Sequence, residues 1–190
     1  PPARCVDARW TAPVAPSFAK ADASEADPAL SANGRWLYYV SARADPAGER
    51  LDIWRVQRKS GGAWDEPERL PEPVNSAASQ LLPRPQPDGR LLFGSSRPGG
   101  MGQGDIYLAT PGKDGAWTVE NLGAPISTSA NEYEAELSRD GPVLVTVADR
   151  ARLLALLQAV EQLKEGGLVL GQKHERDFLV FRALDPHARE

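Results

Sequence analysis

The sequence predicts an all-β fold made of about three copies of one four-stranded antiparallel sheet, with one amphipathic helix inserted in the last copy. Three sets of markers predict it. The turn glycines Gly34, Gly89 and Gly141 lie 55 and 52 residues apart. The tryptophans Trp10, Trp64 and Trp117 lie 54 and 53 apart, and Asp52 and Asp105 lie 53 apart. A period of about 50 residues with four short strands per unit is the sequence form of a β-propeller blade. One such sheet cannot bury both of its faces alone, so neighbouring units stack and share a core.

The elements follow in order. The chain reads as one domain over 1–190, divided into an outer strand at 8–18 and copies at 19–72, 73–125 and 126–190. Arg9-Trp10-Thr11-Ala12-Pro13-Val14 reads as an edge strand, the place where Pro is tolerated. Copy one has a short strand from Glu25 to Leu30, an Asn33-Gly34 turn, and the aromatic strand Arg35-Trp36-Leu37-Tyr38-Tyr39-Val40-Ser41. A polar hairpin returns through Asp52-Ile53-Trp54, and a last strand opens at Trp64 and fades at Leu70-Pro71. Copy two repeats this from Gln80 through Pro87-Asp88-Gly89, Leu91-Leu92-Phe93, Asp105-Ile106-Tyr107 and Trp117. Copy three has Glu132 to Leu137, then Val143 to Val147. The stretch 151–165 places Leu153, Leu156, Leu157, Val160 and Leu163 on one helical face, and Gly166-Gly167 ends it. Asp177-Phe178-Leu179-Val180-Phe181 then stands where Asp105-Ile106-Tyr107 stood.

Composition narrows the function classes. With 22 basic and 26 acidic side chains the net charge is −4, which argues against a nucleic-acid partner. Seventeen Gly and seventeen Pro suit a turn-rich β protein. No apolar run is long enough to span a membrane as a helix. The one cysteine, Cys5, cannot form an internal disulfide, and Pro1-Pro2-Ala3-Arg4 ahead of it lacks the apolar run of a secretion signal.

Three phrases resemble the WD40-like PD40 repeat of TolB-like bacterial envelope proteins. They are Gln86-Pro87-Asp88-Gly89-Arg90-Leu91-Leu92-Phe93-Gly94-Ser95-Ser96-Arg97, Gly102-Gln103-Gly104-Asp105-Ile106-Tyr107, and Trp117–Asn121. The resemblance covers about residues 9–148 and departs from the family at the helix and in the blade number. It implies a propeller that serves as an interaction platform, in the periplasm or outside the cell. The strands amount to about three blades, fewer than the roughly 4–8 of a closed ring. The chain therefore reads as part of a larger propeller, as half of a six-bladed homodimer exchanging the strand at 9–14, or as an open arc.

Acidic and polar groups start the first strand of each copy: Glu25 and Asp27, Gln80, then Glu132, Glu134 and Glu136. In a propeller these strands line the central channel, so the groups converge on one mouth. They suit a basic peptide, a cation or a sugar, and equally suit turn contacts. Arg43 and Arg97, with Asp52 and Asp105 on the returning strands, read as cross-strand ion pairs pinning hairpins. Gly99-Gly100-Met101-Gly102-Gln103-Gly104 lacks the Lys and the following helix of a phosphate loop, and reads as a flexible tip. His174 and His187 have no partner at ligand spacing, and no nucleophile elbow occurs, so neither metal nor other cofactor is expected. The leading expectation is a non-enzymatic module binding a protein or envelope component. The alternative is a carboxylate-based hydrolase of glycans or peptides, or its propeller part.

Overall fold

The structure, a computed structural model, describes residues 14–137 with their side chains and three further strands by their backbone, 143–148, 168–173 and 176–182. The described residues form strands and turns. The first sheet comprises β1 (Glu25–Leu30), β2 (Trp36–Ser41), β3 (Asp52–Gln57) and β4 (Glu68–Arg69). The second comprises β5 (Gln80–Pro85), β6 (Leu91–Ser95), β7 (Asp105–Pro111) and β8 (Trp117–Asn121). The third comprises β9 (Glu132–Leu137), β10 (Val143–Ala148), β11 (Leu168–Lys173) and β12 (Arg176–Arg182). Each is four-stranded and antiparallel.

The first two sheets run in simple chain order. In the third, β12 pairs with β10, as the Asp177-Phe178 wording predicts, and β11 pairs outside β12. The outer position of the third sheet is therefore filled by 168–173, and the vacancy that strand exchange through 9–14 would have filled is taken. The helix expected at 151–165 lies outside the described residues. Of the outer strand expected at 8–18, residues 14–18 are described and form no strand, since Pro16 lacks a donor and Phe18 is their only aromatic anchor.

Packing explains the composition of β6 and β7. Leu91, Phe93, Tyr107 and Ala109 face the first sheet and pack with Tyr38, Val40 and Ile53. Leu92, Ile106 and Leu108 face the other way and pack with Ala135 and Leu137 of β9. Both faces of the middle sheet are buried, so its strands read as continuous apolar runs rather than alternations. The first strand of each following sheet, β5 and β9, lies against the sheet before it.

The last strand of copy one is shorter than expected. Trp64 makes a single bridge to Arg58, and β4 is only Glu68–Arg69. In copy two Trp117 opens a continuous β8. From Trp64 to Arg69 the chain is one residue longer than from Trp117 to its counterpart Asn121, and the segment between Trp64 and β4 includes Pro67, which cannot donate to the ladder. The turn glycines Gly34 and Gly89 are equivalent in structure, with φ of 66° and 89°.

Each of the first two sheets is tied to the link that follows it by one buried side chain. Ile53 N donates to Asn75 Oδ1 at 2.7 Å, while Asn75 Nδ2 donates to Ile53 O at 2.9 Å and to Leu70 O at 2.7 Å. One copy later, Ile106 N donates to Ser127 Oγ at 3.1 Å. Asn75 thus imitates a strand residue, and its truncation leaves Ile53 N and Leu70 O unpaired, while Ile53 O keeps the Leu70 amide. We expect Asn75→Ala to lower the unfolding free energy by about 2–4 kcal/mol in urea denaturation, and Ser127→Ala by about 1 kcal/mol.

Candidate functional site

The first residues of the first strands are Glu25, Gln80 and Glu132, so the repeat places them at equivalent points. Each closes a local turn. Glu25 pairs with Arg43 and accepts from Ser41 Oγ at 3.3 Å and from Lys20 N at 3.3 Å. Gln80 Nε2 donates to Ser76 Oγ at 2.7 Å and to Ala78 O at 2.8 Å. Glu132 accepts from Thr128 N at 2.9 Å and Thr128 Oγ1 at 2.6 Å. Gln80 and Glu132 are fully buried, and Gln80 Oε1 has no partner. Burial pushes the Glu132 carboxyl above its ordinary value of 4.5; the Thr128 hydrogen bonds oppose this and the nearby Asp105 charge adds to it.

Two residues further along, the side chains reach between sheets. Leu82 N of β5 donates to Asp27 Oδ2 of β1 at 3.2 Å. Asp27 and Leu82 share a left-handed backbone, with φ of 55° and 49°, at the bulge each strand makes against its neighbour. Further on, Arg84 of β5 pairs with Glu134 at 2.6 Å and with Glu136 at 2.9 Å, both on β9. Glu136 is more than half exposed and its carboxyl is pushed up by burial of part of its surroundings, against the pull of Arg84. The structure thus brings Glu134 to Arg84 and Asp27 to the Leu82 amide, and keeps Glu25, Gln80 and Glu132 in separate turns. Arg84 is the member that sequence reasoning missed. Its only signal was a cation set between Pro83 and Pro85 in the strand position where copy three has Glu136.

The expected Arg43–Asp52 and Arg97–Asp105 pairs do not form. Arg43 pairs with Glu25, and Arg97 donates to Pro73 O at 2.8 Å and Val74 O at 2.6 Å. Both arginines also donate through Nε to the serine two residues earlier, Ser41 or Ser95, and lie over two rings, Tyr39 and Trp54 or Phe93 and Tyr107. They fasten each sheet to the segment before it. Asp52 instead accepts from Arg69 Nε at 2.8 Å. Asp105 accepts from the amides of Met101 at 3.0 Å and Gly102 at 3.3 Å.

The Gly-rich stretch before Asp105 is packed, which corrects its reading as a flexible tip. Gln103 N donates to Ala130 O at 3.1 Å, and Glu132 N donates to Gly104 O at 2.9 Å. A Cβ on Gly102 would collide with Ala130 O, and one on Gly100 with the Asp105 carboxylate. The glycines let this hairpin press against the link to the third sheet.

Among the described residues, no three acidic, His or Cys side chains gather as metal ligands, and both histidines lie outside that range. No helix among the described residues is long and apolar enough to cross a membrane. No family model matches the chain, and no curated protein matches it.

Glu132 makes a pH prediction. Between 4.5 and its raised value the folded chain holds a proton that the unfolded chain has released. Stability from this group is therefore greatest at the acid end of that window and falls as pH rises through it. The sister position carries Gln80, which closes the same turn while neutral. Glu132→Gln should flatten this part of the Tm–pH profile and raise Tm at neutral pH, as read by calorimetry from pH 4 to 7.

Proposed function

We propose that the chain is a non-enzymatic binding module resembling the PD40 repeats of TolB-like envelope proteins. In this reading the stacked sheets are propeller blades, the row β1, β5 and β9 faces the channel side, and the protein works in the periplasm or outside the cell. One observation carries the reading: a charged row crosses all three sheets, from Asp27 through Arg84 to Glu134 and Glu136. Arg84 compensates only part of the acid, and Glu136 presents its carboxylate to solvent. Such a surface suits a basic segment of a partner protein, with affinity that weakens as salt rises.

The carboxylates are also placed poorly for general acid–base work. Glu132 has the raised pKa a proton donor needs, yet it is sealed from solvent and held by Thr128. Glu134 is neutralised by Arg84. Of the two carboxyls whose pKa is raised, Glu132 is sealed, and Glu136 reaches solvent but is paired with Arg84.

The test pairs capture with turnover. Wild type and the Glu134→Gln/Glu136→Gln variant are exposed to detergent extracts of bacterial envelopes and to a Lys/Arg-rich peptide, at low and high salt. We expect peptide binding to weaken roughly three- to tenfold in the variant, at unchanged Tm. Turnover of glycan or peptide substrates by wild type, lost in Glu132→Gln or Glu134→Gln variants that remain folded, would sink the reading in favour of hydrolysis.

A further inference from the structure

A second feature lies beside the charged row. At the end of the first two sheets opposite Ser41 and Ser95, the β1–β2 turn, the β5–β6 turn and the facing strands enclose a cleft of about 300 Å³. Its walls are largely rings: Trp36 and Tyr38 from the first sheet, Pro111 and Trp117 from the second. That volume is near the lower end for small-molecule sites.

The polar groups in this cleft are unusually idle. Trp36 Nε1, Trp117 Nε1 and the Tyr38 hydroxyl line it without a hydrogen-bond partner among the described residues, while the bodies of Tyr38 and Trp117, 7% and 8% exposed, belong to the apolar core. Two amides are anchored at one end and open at the other. Asn33 Oδ1 accepts from Ser31 Oγ at 2.8 Å and Arg35 N at 3.0 Å, and its NH2 has no partner among the described residues. Gln86 Nε2 donates to Arg84 O at 2.8 Å, and its side-chain carbonyl has no partner among the described residues. The one charged lining group, Arg55, is paired with Glu68 and lies 4.5 Å from the centre of the Trp36 ring.

Blade packing does not require this lining. By strand register, the positions of Trp36 and Tyr38 in the second sheet are Arg90 and Leu92. The aromatic set belongs to this junction alone among the described residues.

We propose that this cleft binds a neutral sugar, one or two pyranose rings of a glycan. A neutral ligand is favoured because the cleft's only charge is already compensated. A sugar ring has an apolar face to lie on aromatic walls and hydroxyls that both accept and donate. The indole and phenol donors, the Asn33 amide and the Gln86 carbonyl supply both senses of hydrogen bond. Because the two walls come from different sheets, an occupant would also fasten the first two sheets together. This site shares no side chain with the charged row, which it adjoins at Pro85 and Gln86.

The test titrates the full chain with cellobiose, maltose and chitobiose, read by tryptophan fluorescence and by thermal shift. At least one disaccharide should give a saturable change with a raised Tm. Tyr38→Phe, which removes a single oxygen, should weaken it roughly three- to tenfold while remaining folded. Trp36→Phe should weaken it as well. The proposal is overturned if none of the three saturates at millimolar concentration, or if both variants bind as wild type does. Saturable binding of a proline-rich peptide without any sugar binding would overturn it too.

Discussion

A four-stranded sheet has two faces, and here both faces of the middle sheet are apolar. That constraint orders the rest of the molecule. Phe93 and Tyr107 must be covered from one side, Leu92 and Ile106 from the other, and the neighbouring sheets do this with Tyr38, Val40, Ala135 and Leu137. Full burial of a Leu, Ile or Phe contributes about 1.5–3 kcal/mol, whereas an exposed ion pair contributes about 0–1 kcal/mol. The stacking is therefore an apolar event. The charged contacts between sheets set direction and spacing and add little to its depth. Gly94 shows how close the approach is: a side chain there would strike the Tyr133 backbone of β9.

The arginines act within that frame. Arg97 sits over Phe93 and Tyr107, and its guanidinium reaches the carbonyls of Pro73 and Val74, which belong to the link from the first sheet. Burial lowers its pKa without threatening its charge, since guanidinium starts so far above neutrality. Arg43 repeats the arrangement over Tyr39 and Trp54, reaching Phe18 O at 3.1 Å and the Glu25 carboxylate. One cation in each of the first two copies thus converts loose backbone carbonyls in a link into a fixed joint. The first strands, which follow those links, inherit their position from it.

Much of this was legible in the residues. Period, strand order and the places of Glu25, Gln80 and Glu132 follow from spacing, because local wording repeats with the fold. The pairing of charges did not follow. Sequence offers Arg43 both Asp52 and Glu25 within reach, and only the hairpin's twist and the ring faces of Tyr39 and Trp54 decide between them. The Gly-rich stretch was misread for a similar reason. Glycine marks both mobile tips and tight contacts, and what presses on Gly102 is Ala130, on the link to another sheet. The brevity of β4 was written in Pro67 and the extra residue beside it. The outer strand β11 carried no tryptophan marker, so nothing in the repeat announced it.

Repetition also separates what the fold needs from what it leaves free. Ser41 and Ser95, Arg43 and Arg97, and Asp52 and Asp105 are the same residue types at matching points, and each has a structural bond that explains it. Other matching points differ. The position of Ala29 in the first sheet is Arg84 in the second and Glu136 in the third, and Tyr38 matches Leu92. A scaffold that stands with Ala, Arg or Glu at one place does not depend on the charge there. Charge at that place is available for recognition, and so is an aromatic pair where a neighbouring junction manages with Arg90 and Leu92. The acids best suited to catalysis by their raised pKa include Glu132, which lies at a fold-determining point and is sealed. The groups free to vary reach solvent. That division is the ground on which the binding role is proposed.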